Sequence, residues 1–116
     1  MNGGEARERA LVDRMLAEAE RAERYVRRGR EAFFDPNDQE TRDLAQFYIG
    51  HFLETAAKVG QSFREANPLI PWRRLNELRQ AVIHEYADAA LPKVLWKFIG
   101  EELPGVSKKL RRARFP

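Results

Sequence analysis

Arg79 and His84 are the side chains in this sequence whose type and setting suit chemistry, with Tyr86 two positions further on. They stand in the run Arg79-Gln80-Ala81-Val82-Ile83-His84-Glu85-Tyr86. Histidine is the side chain best able to give or take a proton near neutral pH. Arginine carries a permanent charge in a planar fork that fits the oxygens of a phosphate or a carboxylate. Advancing about 100° per residue, Trp72, Leu75, Val82, Ile83 and Tyr86 make one apolar stripe, and Arg79 falls inside it. An unpaired charge there is costly, so its neighbour is an acid such as Glu54, a partner chain or an anionic ligand. His84 lies about 140° around the helix from Arg79. On one ideal helix the two do not face each other, so either the reach of Arg79 or a dimer interface must bring them together. The plainer readings are an ion pair for Arg79 and an ordinary polar residue near a helix end for His84. For Tyr86 the plainer reading is a core aromatic whose hydroxyl reaches the surface.

Other enzymatic signatures are absent. The sequence has no phosphate-binding glycine loop, no HExxH pair and no nucleophile elbow. With no cysteine and two histidines, disulfides and thiolate zinc sites are excluded, and a protein-built zinc site would have to recruit carboxylates. No metal and no cofactor is expected. His51 reads as structural or exposed, and Trp96 as packing or interface rather than a base-stacking platform.

The elements that must position these residues are helical throughout. A first helix over residues 5–28 carries Leu11, Met15, Ala19, Ala22 and Val26 on one stripe, with Gly29 as its stop. Residues 34–38 form a turn cluster. A second helix over residues 40–66 repeats Leu44, Tyr48, Phe52, Ala56, Val59 and Phe63. Residues 67–71 break it, and Pro71 suits the first turn of a third helix reaching residue 86 or 87. Pro92 opens a fourth, with Leu91, Val94, Leu95, Phe98, Ile99 and Leu103 in phase, and Pro104-Gly105 closes it. The fold class is therefore all-α, an up-and-down bundle of four to five helices. Phe47, Ile49 and Leu53 lie off the main stripe of the second helix and Trp96 off that of the fourth, which predicts a homodimer, or cover by a partner or by the long first helix.

At 116 residues the chain holds one domain; it is expected over residues 1–106, followed by a basic tail at 107–116. The last ten residues carry Lys108, Lys109, Arg111, Arg112 and Arg114 and no acid. The remainder has 16 basic against 18 acidic residues, a net of −2 within an overall +3. Such a tail attracts polyanions or an acidic protein surface, or is simply a solvated terminus. The charged start lacks a secretory apolar stretch and no run is long enough to span a bilayer, so a cytoplasmic protein is expected.

The run from Arg79 to Tyr86 resembles the Arg-x4-His-x-Tyr signature of HepT-like proteins, within the larger class of HEPN domains. Ile70-Pro71-Trp72-Arg73 resembles that family's IPWR helix start. Glu54 with Ala56-Ala57-Lys58 is similar to its GEAAK segment, and Val94-Leu95-Trp96 through Glu101-Glu102-Leu103-Pro104 to its closing VW…EDLP stretch. The resemblance covers residues 11–104. It implies a HEPN-like bundle that dimerises and brings two Arg-His motifs to one cleft. It further implies a toxin of a toxin–antitoxin pair, acting as a metal-independent ribonuclease and silenced when a nucleotidyltransferase antitoxin places AMP on the tyrosine, here Tyr86. Arg79 and His84 would then be catalytic, with Glu54 and Gln80 in support. Cleaving RNA without metal needs a base for the ribose 2′-OH, an acid for the departing 5′-oxygen and a cation for the extra phosphate charge. Two His84 side chains and Arg79 supply that set. The sequence departs from the family at Gln80, where Asn is commonest, at Leu53 and Thr55 around Glu54, and at Ala89-Ala90 before the last helix. Gln80 and the basic tail motivate the alternative, a non-catalytic HEPN-like dimer that binds a nucleotidyltransferase or RNA.

Overall fold

The first helix, α1 (Gly3–Val26), is rich in Ala, Leu, Arg and Glu, all good helix formers. Three ion pairs, Glu5–Arg9, Glu20–Arg24 and Glu23–Arg27, run in the favourable order with the acid first. Its opposite face buries Leu11, Val12, Met15, Ala19 and Ala22. Gly29 ends this stretch with φ of 104°, a conformation that any side chain would strain. The computed structural model describes residues 3–84 and 89–116.

Just before the expected turn cluster the chain forms a short helix, α2 (Arg30–Phe34), which buries Phe33 completely. Phe33 and Phe34 hold Trp96 between ring centroids 5.2 and 5.8 Å away. Trp96 therefore packs half-buried against the core rather than standing off it, because the linker folds its own aromatics over the indole.

Asp38 caps α3 (Gln39–Ala57), its carboxylate accepting from the amide of Thr41 at 3.2 Å and from the Thr41 hydroxyl at 2.8 Å. These bonds hold the Asp38 carboxyl below its ordinary range, the hydroxyl bond contributing most. A carboxylate lowered in the fold stabilises at pH values above its unfolded pKa, and that contribution disappears as pH falls through the folded value. Asp38→Ala is thus expected to lower the melting temperature at pH 7, with the gap closing as the pH drops below about 4. Thermal melts across that range check it.

Helix α3 runs through the middle of the fold, packed on α1 and on the helix over residues 72–84. It buries Ala45, Ile49, Phe52, Leu53 and Ala56, so two of the three off-stripe residues serve the core. Only Phe47 of those three stays exposed. The expected single helix to residue 66 is in fact interrupted after Ala57, and α4 (Gln61–Ala66) follows. The reason lies on α1. Arg7 donates to the Lys58 carbonyl at 2.7 Å, and Glu8 accepts from the Gly60 amide at 2.9 Å. A Cβ at Gly60 would stand 2.9 Å from that same carboxylate oxygen, so a side chain there would push Glu8 off the amide.

Pro71 stands just before α5 (Trp72–His84), and its carbonyl accepts from Leu75. Pro92 falls in the first turn of α6 (Leu91–Lys97). Pro104-Gly105 does not close the last helix. A π turn over Phe98–Glu102 precedes α7 (Leu103–Arg111), whose first turn holds Pro104. Proline cannot donate to the carbonyl four residues back and would collide with it; the wider turn makes room. The chain then continues helically, burying Val106, Ser107 and Leu110. Arg74 of α5 clamps the π turn with two bonds of 3.1 Å to the Glu102 carboxylate.

The result is the all-α, HEPN-like bundle, with no strand among the described residues. Phe33, Phe52, Phe63 and Phe98 are its largest fully buried side chains. No helix among the described residues is long and apolar enough to cross a membrane.

Candidate functional site

Helix α5 buries Leu75 and Leu78, flanked by half-buried Trp72 and Val82. Leu78 was not part of the expected stripe, and Ile83, which was, is 43% exposed. The buried line is rotated accordingly, and Arg79 lies at its margin, with its side chain 29% exposed. From there its Nε donates to Glu54 Oε1 on α3 at 3.0 Å. The acid expected beside this arginine is thus Glu54. Nε carries the bond, and the two outer nitrogens of the fork, with four of its five N–H groups, are not part of it.

His84 is exposed at the last described position of α5, its Nε2 3.0 Å from Gln80 Oε1 one turn back. With that oxygen as acceptor, Nε2 is the donating nitrogen. The imidazole is oriented by its own helix. Arg79 and His84 make separate contacts within the chain, as the angle between them on one helix requires. Tyr86 lies outside the described residues.

Beside these groups α3 and α5 leave an open groove of about 620 Å³, bordered by Asp43, Phe47, Gly50, His51, Glu54 and Val82. Phe47 on its wall is 53% exposed. Gly50 brings α3 within van der Waals range of Val82, where an added Cβ would sit 3.8 Å from the Val82 methyl. His51 packs at a tilt against Phe47, ring centroids 4.5 Å apart, and its Nδ1 lies 3.9 Å from Glu18 Oε2. Glu18 is 8% exposed and accepts from the Thr55 hydroxyl at 2.8 Å. This acid–histidine arrangement escaped sequence reasoning. Its signal was an acid on the apolar face of α1, one turn from both Met15 and Ala22. The departures at positions 53 and 55 find places here as well: Leu53 fills core and Thr55 anchors Glu18.

Among the described residues, no group of three or more His, Asp or Glu side chains could hold a metal ion. Chemically the site offers one oriented imidazole and one half-buried guanidinium, beside an exposed apolar wall.

Similar proteins carry nuclease names. A probable ribonuclease HepT of Thermococcus cleftensis is 31% identical over 61 residues, 53% of this chain and 54% of that protein. Putative RNases of Methanocaldococcus jannaschii and Caldanaerobacter subterraneus are 34% identical over 59 residues and 28% over 58, covering 49% and 50% of this chain and 51% of each protein. The chain thus spans about half the length of the curated relatives it matches. No solved structure significantly matches it. The model of the family described as ribonuclease HepT-like matches residues 15–113, from the apolar face of α1 to the end of α7, and the chain belongs to that family.

Proposed function

We propose that this chain is an RNA-cleaving toxin subunit that works as a homodimer in the cytoplasm, with His84 and Arg79 as its catalytic residues. The observation that carries the reading is the state of α5. Arg79 is held by Glu54 through Nε alone, leaving its outer N–H groups for phosphate oxygens, while His84 presents an oriented imidazole to solvent. In the proposed reaction one His84 takes the proton of a ribose 2′-OH, which attacks the adjacent phosphorus. The second protomer's His84 protonates the 5′-oxygen as the P–O bond breaks. Arg79 stabilises the phosphorane-like charge between them. Phe47 and Ile83, exposed on neighbouring helices, form the apolar surface a second copy would cover. Glu54 and Gln80 are positioning residues, each bonded to one of the catalytic pair.

Regulation would fall to a nucleotidyltransferase antitoxin that transfers AMP to Tyr86. The added phosphate and nucleoside would bring bulk and negative charge to the place where the substrate phosphate must sit.

A second reading is a HEPN-like dimer that binds a nucleotidyltransferase or RNA without cutting it. Gln80 favours it, since its amide already occupies one ring nitrogen of His84. Incubating the purified protein with total RNA, with and without chelator, separates the two. Chelator-resistant cleavage is the expected result; binding without cleavage would establish the second reading and overturn the first.

A further inference from the structure

The groove beside the proposed catalytic residues is poorly suited to attract RNA. Asp43 and Glu54 border it, and no lysine or arginine does. Phosphate backbones are drawn to clustered cations whose counterions they release, so the attraction must come from elsewhere on the molecule.

A second groove, of about 590 Å³, lies between the loop before α5 and the end of α7. Lys108, Lys109, Arg112 and Arg114 line it, and no acid does. All four are exposed, and among the described residues none has an acidic side chain at ion-pair distance. Arg111 on the same helix is different. It lies near Glu23 of α1, whose carboxyl is raised chiefly by burial, with Arg27 and Arg111 partly offsetting the rise.

The cations of this groove are held in place. Asn67 grips the backbone of Arg114 from both sides, donating to its carbonyl and accepting from its amide, each at 2.8 Å. The Asn67 carbonyl in turn accepts from the Trp72 indole at 3.0 Å. One residue on, Phe115 packs against Phe63 at 5.3 Å, with the Arg9 guanidinium 4.1 Å from its ring centroid. The terminal segment is fastened to α4 and α1, and its charges form one wall of the trough. Leu69, 78% exposed, supplies an apolar rim against which a base can rest.

We infer that this groove is an RNA-backbone binding site, separate from the Arg79–His84 region, which holds single-stranded RNA while the distant imidazole acts on it. The inference rests on the RNA reading for its ligand, and on charge, shape and fastening for its location. The loop sits at the start of α5 and His84 at the end, about 18 Å apart along a 13-residue helix. A single strand needs about five or six nucleotides to cover that length at a rise of ~3.4 Å each.

The test is the salt dependence of binding to a labelled uridine RNA of about 20 nucleotides, using the full chain. One variant carries Lys108→Gln, Lys109→Gln, Arg112→Gln and Arg114→Gln. A control of equal charge loss carries Arg24→Gln, Arg73→Gln, Lys93→Gln and Lys97→Gln. All eight side chains are exposed, and Asn67 holds Arg114 by its backbone, so both variants keep the fold, as thermal melts verify. For the groove variant the slope of log affinity against log salt is expected to become shallower by about 3, at roughly 0.7 per cation lost. The control keeps a slope closer to the parent's, and a dinucleotide substrate is turned over equally by all three proteins. If the groove variant binds long RNA with the parent's slope, the inference is overturned and an acidic protein surface becomes the better ligand. Equal losses in both variants also overturn it, since net charge alone would then explain binding. The readout is binding, so a chain that binds through this groove without cleaving would defeat only the catalytic reading.

Discussion

His84→Ala is expected to lower the proposed RNA cleavage by about 10²- to 10⁴-fold, the span that a positioned acid or base contributes. Helical content and melting temperature stay at the parent's values, because His84 is exposed and its bond is to Gln80 on the same helix. Two His84 side chains serve as base and acid in the proposed dimer, so one substitution removes both roles. Retention of near-parental cleavage by a folded His84→Ala protein would remove the mechanism. Gln80→Asn is the informative companion. The shorter amide loosens the hold on Nε2, so the cleavage rate should fall while the fold does not change.

Phe52→Ala costs about 3–5 kcal/mol of stability, the range for deleting a fully buried phenyl ring. Phe52 has no exposed surface and sits in α3, the helix that packs on both α1 and α5. Removing its ring leaves a cavity in the layer that holds Glu54 opposite Arg79. A domain of this size has a total stability of about 5–15 kcal/mol, so the loss is a large fraction of the whole. Urea unfolding should show a lower midpoint with an unchanged slope. A cost below about 1 kcal/mol would mean that the site collapses freely around the gap and is not tightly packed.

How much of this was legible follows from which interactions are local. The apolar face of α1 and the stop at Gly29 were readable because both depend on residues within a few positions of each other. That Arg79 needs a neighbour was readable too, since a cation inside an apolar stripe calls for an acid, a partner chain or an anion; Glu54 was one candidate, and the packing of α3 on α5 selects it. The break between α3 and α4 was not, because it depends on Arg7 and Glu8 gripping Lys58 and Gly60 from about fifty positions away. Nor did the sequence reveal that Pro104 opens a helix. Proline punctuates in either direction, and only a π turn before it decides which. The basic residues near the end were visible, but their arrangement was not. That arrangement comes from Asn67 clasping Arg114 and from Phe115 docking on Phe63. The exposure of Phe47 beside buried Ile49 and Leu53 was equally hidden, since it depends on which flank of α3 meets α1 and α5.

Within one chain Arg79 and His84 point to different neighbours, so the account requires association. The most direct measurement is cleavage rate per chain across a dilution series, with the oligomeric state followed by sedimentation in the same buffer. The account predicts that activity per chain falls in step with the dimer fraction. A monomer that cleaves RNA at the full rate per chain would contradict it.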